Sequence, residues 1–250
     1  MGNNEIIKSN QREENNINFF KSLIPQKISN GTALSFFDFL RKISFHNFPN
    51  NFQKNTLNFK NYTKQISSNN GYIEDQRNYI DMYYGNKTIS FCGCEIIAVY
   101  NAFYDLTGKH DISFPQMIND FEKDGIVLSG FFGTAPKAID DYFKKKGFKT
   151  LCSSKKEEYD EIAERTDAII LTLYNDKYDI FNMVHTVNIT KKDNKYFVHN
   201  NGYNSFLEPY DSISDLLSRI NNGNSKDIFL IEFIFLCFNY LLKIKIKNIN

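Results

Sequence analysis

The stretch CGCEIIAVYNAFYDLTG (92–108) reads as a helix that opens on two cysteines and closes on a glycine. Ile97, Tyr100 and Tyr104 recur at helical spacing, with Ala98 and Ala102 as a flat stripe beside them and Gly108 as the stop. A thiol in the first turn of a helix faces unpaired backbone N–H groups and the positive end of the dipole. Both favour thiolate over thiol, below the ordinary value of ~8.5. Cys92 and Cys94 are therefore both candidate nucleophiles, and inert packing is the competing reading. Glu95 also decides. Turned inward, its carboxylate disfavours a thiolate; turned outward, it is an ordinary first-turn acid.

Outward from this helix the pattern sorts into two halves. Upstream, IEDQRNYIDMYYG (73–85) predicts a short helix or turn ending at Gly85. Downstream, SFPQMINDFEKDGI (113–126) predicts a helix capped by Ser113 with Pro115 in its first turn. GTAPKAIDDYFKKKGF (133–148) repeats that grammar, with Thr134 as cap, Pro136 as start and Gly147 as stop. Then the period changes. DAIILTLYN (167–175) is an apolar run of strand length, and HTVNIT (185–190) and KYFVHN (195–200) flank a hairpin-sized KKDN. DSISDLLSRI (211–220) predicts a short capped helix and KDIFLIEFIF (226–235) a closing strand. Helices first and sheet afterwards is α+β organisation, without a glycine-rich phosphate loop or an internal repeat.

The chain divides into three regions. Residues 1–70 form an Asn-rich extension with one clear helical pattern, ALSFFDFLRKI (33–43), capped by Ser29, Asn30 or Thr32 and folding back on the main domain. Residues 71–235 are that domain, and 236–250 are an apolar then basic tail. The apolar run 228–242 is shorter than the ~20 residues of a spanning helix and is broken by Glu232 and Asn239. It reads as a core strand plus tail, with a membrane-touching tail as the alternative.

Bulk properties exclude several functions. A net charge of +1 across 250 residues gives no basic face for nucleic acid. Four cysteines and four histidines do not supply the paired spacing of a zinc site, nor is this a disulfide framework, so no metal or cofactor is expected. The polar start MGNNEIIKSNQREENN is no secretory signal, and Ile6 stands where a myristoylation pattern wants Ser or Thr. The expected compartment is the cytoplasm.

A nucleophilic thiol needs a base and an orienting partner. His46 falls in the irregular extension, and His110 follows Gly108 in a loop, where a solvated role is expected. His185 heads a strand, and the next strand ends at Asn200 and Asn201, either of which could accept from Nδ1–H and turn the other ring nitrogen toward the thiol.

This order resembles the papain-like cysteine peptidases, and more closely the bacterial double-glycine leader peptidases of the bacteriocin-processing type. In that group the helix opens Cys-Gly-x-x-x-x-Ala, and His-x-Val-x-(Val/Ile) precedes a strand ending in Asn or Asp. CGCEIIA (92–98) and HTVNI (185–189) fit that outline. GCEIIAVYNA and GFFGTAPKAIDDYFKKKGF are also similar to runs in uncharacterised clostridial-type relatives. The resemblance spans 71–235.

It implies a papain-like fold, a helical lobe whose nucleophile helix packs on a small antiparallel sheet, and a Cys-His-Asn site hydrolysing peptide bonds. Aligning Cys-Gly selects Cys92, with Asn86 where the family keeps an oxyanion-hole Gln. Aligning the helix start selects Cys94, with Asn86 or Gln76 as donor. Cys94 is preferred because it adjoins the periodic run. The sixteen-residue spacing from His185 favours Asn201 over Asn200. Phe131 and Phe132, between Gly130 and Gly133, are candidates to line an apolar substrate cleft. The expected partner is a peptide, leader-like in kind. A catalytically weak peptide-binding relative, and a thiol acyltransferase or amidase on the same scaffold, are the alternatives.

Overall fold

A computed structural model describes residues 29–153, 155–174, 184–201, 208–220 and 228–235, together with residue 15; of position 220 and of 228–233 it describes the backbone alone. The tail 236–250, the chain before residue 29 apart from residue 15, and the strand positions expected at 175, 226 and 227 lie outside the described residues.

The helical half comes first. Helices α1 (Asn30–Ile43), α2 (Asn51–Phe59) and α3 (Thr63–Ser68) precede a two-stranded ribbon of β1 (Tyr83–Tyr84) and β2 (Lys87–Thr88). A one-turn helix α4 (Ile89–Cys92) then runs through Gly93 into α5 (Cys94–Thr107), followed by α6 (Phe114–Asp124) and α7 (Pro136–Lys146). The sheet half holds β3 (Lys149–Ser153), α8 (Tyr159–Glu164), β4 (Ala168–Tyr174), β5 (Val184–Lys192), β6 (Lys195–His199), α9 (Ile213–Ile220) and β7 (Ile228–Phe235). The five strands run in the spatial order β3-β7-β4-β5-β6, every neighbour antiparallel. The closing strand inserts between β3 and β4, so the last segment completes the sheet. The architecture is the α+β arrangement expected, a helical lobe on an antiparallel sheet.

Local chemistry explains the ends of the elements. Ser29 and Ser113 cap α1 and α6, each accepting a backbone N–H in the first turn. Gly108 and Gly147 stop α5 and α7 in left-handed conformation, at φ 68° and 92°. The β5–β6 hairpin turns at Asp193 and Asn194, φ 52° and 57°, a pair of positive φ values suited to the twist of the flanking strands. Thr134 is a correction: α7 begins at Pro136 with Ala135 in the N-cap position and no side-chain cap, and the Thr134 hydroxyl instead meets Tyr84 Oη at 2.9 Å. The 73–85 segment holds one 3-10 turn, Gln76–Asn78, and then enters the ribbon, whose bend is at Gly85.

Two apolar cores lie on opposite faces of the sheet. Ala168, Ile170, Tyr174 and Val184 face the helical lobe, while Ile169, Leu171, Leu173, Val187 and Ile189 pack under α8 and α9. That is why 168–174 is apolar at nearly every position: both faces of β4 are covered. Residues 30–68 feed the first core through Ala33, Phe37, Leu40 and Ile66, so that core runs across position 70. Arg41 of α1 ties α1 to α7 by pairing with Asp141 at 3.0 Å.

Helix α5 sits between lobe and sheet, buried from Cys94 to Phe103 and again at Leu106. The one-faced pattern read from Ile97, Tyr100 and Tyr104 is thus too narrow. Asn101, fully buried, donates Nδ2 to Ile73 O and accepts from Ile73 N–H, both at 2.9 Å, standing in for a missing strand partner. Asn55 does the same for Tyr83, at 2.7 Å twice. His110 is also corrected. It is stacked on Tyr100 and Tyr104, at 4.1 and 4.7 Å, with Nε2 on Gly71 O, rather than solvated.

Replacing Asn101 by Leu leaves the Ile73 N–H and C=O buried and unpaired, at about 1–3 kcal/mol for each group. The expected outcome is a loss of roughly 2–4 kcal/mol in urea unfolding with an unchanged m-value; an unchanged midpoint would show that Asn101 carries no such role.

Candidate active site

Cys94 is the first residue of α5 and its side chain is 6% exposed. The helix start packs toward β5, where the backbone N–H of Thr186 is near enough to favour the Cys94 thiolate. Beyond Asn200 the β6 strand leaves the sheet, so the ladder between β5 and β6 begins only at Asn188 and His199. Thr186 adjoins His185, whose Cα is one residue, about 3.8 Å, along the strand.

His185 pairs with Leu173 in the register with β4, on the face that packs under α8 and α9. Its neighbour Thr186 pairs with Thr172 on the face toward α5, so the structure does not bring the His185 ring and the Cys94 sulfur into contact. The ring Nε2 of His185 lies 2.9 Å from Asn200 O. A carbonyl only accepts, so Nε2 carries the proton in that bond and Nδ1 is the basic nitrogen. The polarity expected from sequence is thereby reversed: Nε2 is the anchored nitrogen, and the anchor is the Asn200 backbone carbonyl rather than an amide side chain. Asn200 holds a left-handed backbone, φ 62°, which turns the chain away from the sheet. Its side chain is engaged with Gln76, accepting from the Gln76 N–H at 2.9 Å and donating to Gln76 Oε1 at 3.2 Å. Asn201 is exposed.

Gln76 does not stand as a free amide donor. Its Nε2 bonds Ser90 O at 3.2 Å, so one side chain joins the segment leading into the cysteines to the segment holding His185. Glu74 reinforces that join, taking His199 Nδ1 at 2.8 Å and the Asn200 N–H at 3.4 Å. Asn86 occupies the bend of the β1–β2 ribbon with its N–H on Ser129 O at 2.9 Å.

Cys92 is placed differently. It ends α4, at the negative pole of that short helix, and its thiol points back to Thr88 O at 3.5 Å. Burial pushes its thiol up, and Glu95 pushes it further. Both sulfurs line one cavity of about 20 Å³, with Glu95, Phe132, Gly133 and Val184 among its walls. That is room for about one water. Phe132 is buried against this cavity, while Phe131 packs edge-on to Phe91, which is 46% exposed. Among the described residues no group of three or more His, Cys, Asp or Glu is placed to hold a metal.

Glu95 turns inward. It is 2% exposed, and its Oε2 accepts from the Cys94 thiol at 3.3 Å. The loop before α7 is shaped around it: a Cβ at Gly133, φ 62°, would stand 3.1 Å from Oε2 and 3.3 Å from Cys92 O. Burial raises the Glu95 carboxyl from its ordinary 4.5 to about 7. The nearby backbone N–H groups of Glu95 and Thr134 work against that rise without cancelling it. For Cys94, burial raises the thiol well above its ordinary value, with the Glu95 charge in the same direction and the Thr186 N–H opposing. A helix N-terminus contributes about 0.3–1 kcal/mol, less than one pKa unit, whereas full burial moves a group by several. Burial wins, and the thiol is protonated.

Sequence reasoning missed the Glu74–His199 and Gln76–Asn200 pairs. Their partners lie more than 120 positions apart. It also left the direction of Glu95 open, and nothing in CGCEIIA fixes it.

No protein-family model matches the chain, and no curated protein is similar to it. Among solved structures, it is similar to the peptidase domain of Streptococcus ComA, a bi-functional ABC transporter involved in a quorum-sensing pathway. That match has 14% identity, a TM-score of 0.39, and covers 58% of this chain and 91% of that one. The peptidase domain of Streptococcus mutans ComA gives 14% identity and a TM-score of 0.34, covering 62% of this chain and 100% of that one.

The Glu95–Cys94 pair sets a measurable sign. Above pH 7 the carboxylate is charged and opposes thiolate formation, so Glu95→Gln lowers the thiol pKa. Alkylation of Cys94 by iodoacetamide at pH 8 is expected to speed up several-fold in that variant; an unchanged rate would remove Glu95 from the account. Because the folded carboxyl sits above its unfolded value, stability falls as pH rises from 4.5 toward and past 7. Glu95→Gln is expected to be the more stable form at pH 8, with the advantage gone below pH 4.5.

Proposed function

We propose that this chain is a thiol-dependent peptide hydrolase with Cys94 as nucleophile and His185 as base. What supports the reading is a buried thiol in the first turn of α5, next to the strand on which His185 is held by its Nε2. Reaction requires the His185 ring to swing over the sheet edge toward Cys94; a ring nitrogen then takes the thiol proton as the thiol leaves Glu95, and sulfur bonds to the scissile carbonyl carbon. The imidazolium returns the proton to the leaving amine as the C–N bond breaks. Water, deprotonated by the same nitrogen, then releases the acyl group from sulfur.

The oxyanion falls to backbone N–H groups at the start of α5, where a helix has no partners of its own for its first donors. Gln76 and Asn200 act as a clamp between nucleophile and base segments rather than touching the reacting atoms. Asn201 is given no part. Phe91 and Phe131 offer an apolar ledge beside the cavity, with Lys87 Nζ 5.9 and 5.0 Å from their ring centres. A substrate with an apolar residue near the cleavage point suits it, and a leader-like peptide is one such substrate.

One observation favours a second reading. A buried carboxylate holding the thiol proton describes an idle site, as in a relative that binds peptide and turns it over poorly. The two separate by experiment. Incubating the protein with a peptide library, followed by mass spectrometry, is expected to show cleavage that Cys94→Ala abolishes and Cys92→Ala retains. Glu95→Gln is expected to raise kcat/KM several-fold at pH 8. Cleavage unaffected by Cys94→Ala would sink the hydrolase, and binding without cleavage in both the native chain and Glu95→Gln would establish the peptide-binding relative. His185→Ala is expected to cost at least about a hundredfold in kcat, the usual worth of a positioned base.

A further inference from the structure

Helix α5 carries Cys94 in its first turn and Tyr104 and Asp105 near its other end, some fifteen ångströms away at 1.5 Å per residue. There the helix, the 69–72 segment and the β5–β6 hairpin enclose a cavity of about 600 Å³, within the range of small-molecule sites. The hydrolase reading makes no use of it. Tyr72, Tyr104 and Phe197 supply aromatic walls, the two tyrosines edge to face at 5.1 Å.

The Asp105 carboxylate lies among these rings. It accepts from Tyr72 Oη at 2.7 Å and from Asn188 Nδ2 at 2.8 Å. Both donors are neutral, and among the described residues no lysine or arginine pairs with it. His199 lines the cavity but is committed elsewhere, with Nδ1 on Glu74 at 2.8 Å, Nε2 on the Thr190 hydroxyl and its ring stacked on Tyr72 at 3.9 Å. Lys191 sends its Nζ to Glu164 O at 3.0 Å. Lys192 and Asp167, which also line the cavity, oppose each other in sign.

The geometry points to a binding site for a small organic cation, an alkylammonium or guanidinium group met by Asp105 with its chain along the aromatic walls. A carboxylate with only neutral partners in a half-dry wall is short of positive charge, and aromatic faces attract cations. An anion entering the cavity would meet Asp105 and Asp167 in its walls, with Glu74 behind His199.

Protons couple to this site. Burial raises the Asp105 carboxyl to about 7, against the bonds from Asn188 and Tyr72 and the nearby His199. The same burial, with Asp105 beside it, pushes the Tyr72 hydroxyl far above its ordinary value, so it remains a donor throughout. A bound cation pulls the Asp105 carboxyl back down, so binding releases a proton near neutrality and is tighter at pH 8 than at pH 6.

Isothermal titration of the full chain with agmatine is the test. Binding at pH 8 with a Kd below about 10 mM is expected, weakened several-fold at pH 6, with heats that vary with buffer ionisation enthalpy as proton release requires. Asp105→Asn keeps an acceptor for Tyr72 and is expected to weaken binding at least tenfold. Lys192→Glu is expected to tighten it, and Cys94→Ala to leave it unchanged, which separates this site from the hydrolase reading. No heat up to that concentration, equal affinity in Asp105→Asn, or a preference for succinate over agmatine would each overturn the proposal. Should Asp105→Asn not fold by circular dichroism, the Lys192→Glu variant and the pH comparison decide.

Discussion

The burial of α5 between lobe and sheet is the constraint on which everything else depends. A helix with Cys94 to Phe103 all out of water can sit in one place only, because every side chain has a shaped neighbour. Its first turn packs toward β5, with the Cys94 sulfur held to Glu95 Oε2 at 3.3 Å. Its middle turn holds the 73 segment through Asn101. Its last turns place Asp105 on Asn188 of the same strand. One helix thus registers both ends of β5, and the separation of thiol site and aromatic cavity is the length of that helix.

The polar groups in this seam are held by charge and geometry rather than by exposure to water. Thr172 and Thr186 share a hydrogen bond at 3.1 Å beneath the helix, and Asn188 bridges Asp105 and Ile169 O. A buried polar residue without such a partner costs a few kcal/mol, so each fixes the register of its strand more firmly than an apolar residue would. Gln76 does the same between chain segments. Glu95 is the exception in kind, an acid placed where ionisation is disfavoured. The dry surroundings that would strengthen the electrostatics of a reaction also hold its thiol neighbour protonated.

Much of the fold was legible in sequence, for identifiable reasons. Ser113 and Gly147 end their helices by local bonding that needs only a few neighbouring residues, so their positions could be read directly. The apolar run at 168–174 announced a doubly covered strand, and KKDN a tight hairpin. Thr134 failed as a cap because a tertiary partner, Tyr84, took its hydroxyl. His110 failed as a solvated side chain because two tyrosines of α5 stack on it, a packing that no local pattern encodes.

For the site the division is sharper. Sequence determined that a thiol would open a buried helix and that a histidine would head a strand, since periodicity and turn residues act over short range. Tertiary structure decided which sulfur reaches that strand, which nitrogen of His185 is anchored, and that the Asn200 main chain rather than an amide side chain anchors it. It also decided that Glu95 faces the thiol. These outcomes depend on how segments a hundred residues apart dock, where one side chain's neighbours are set by the packing of the whole core and not by the residues beside it in the chain.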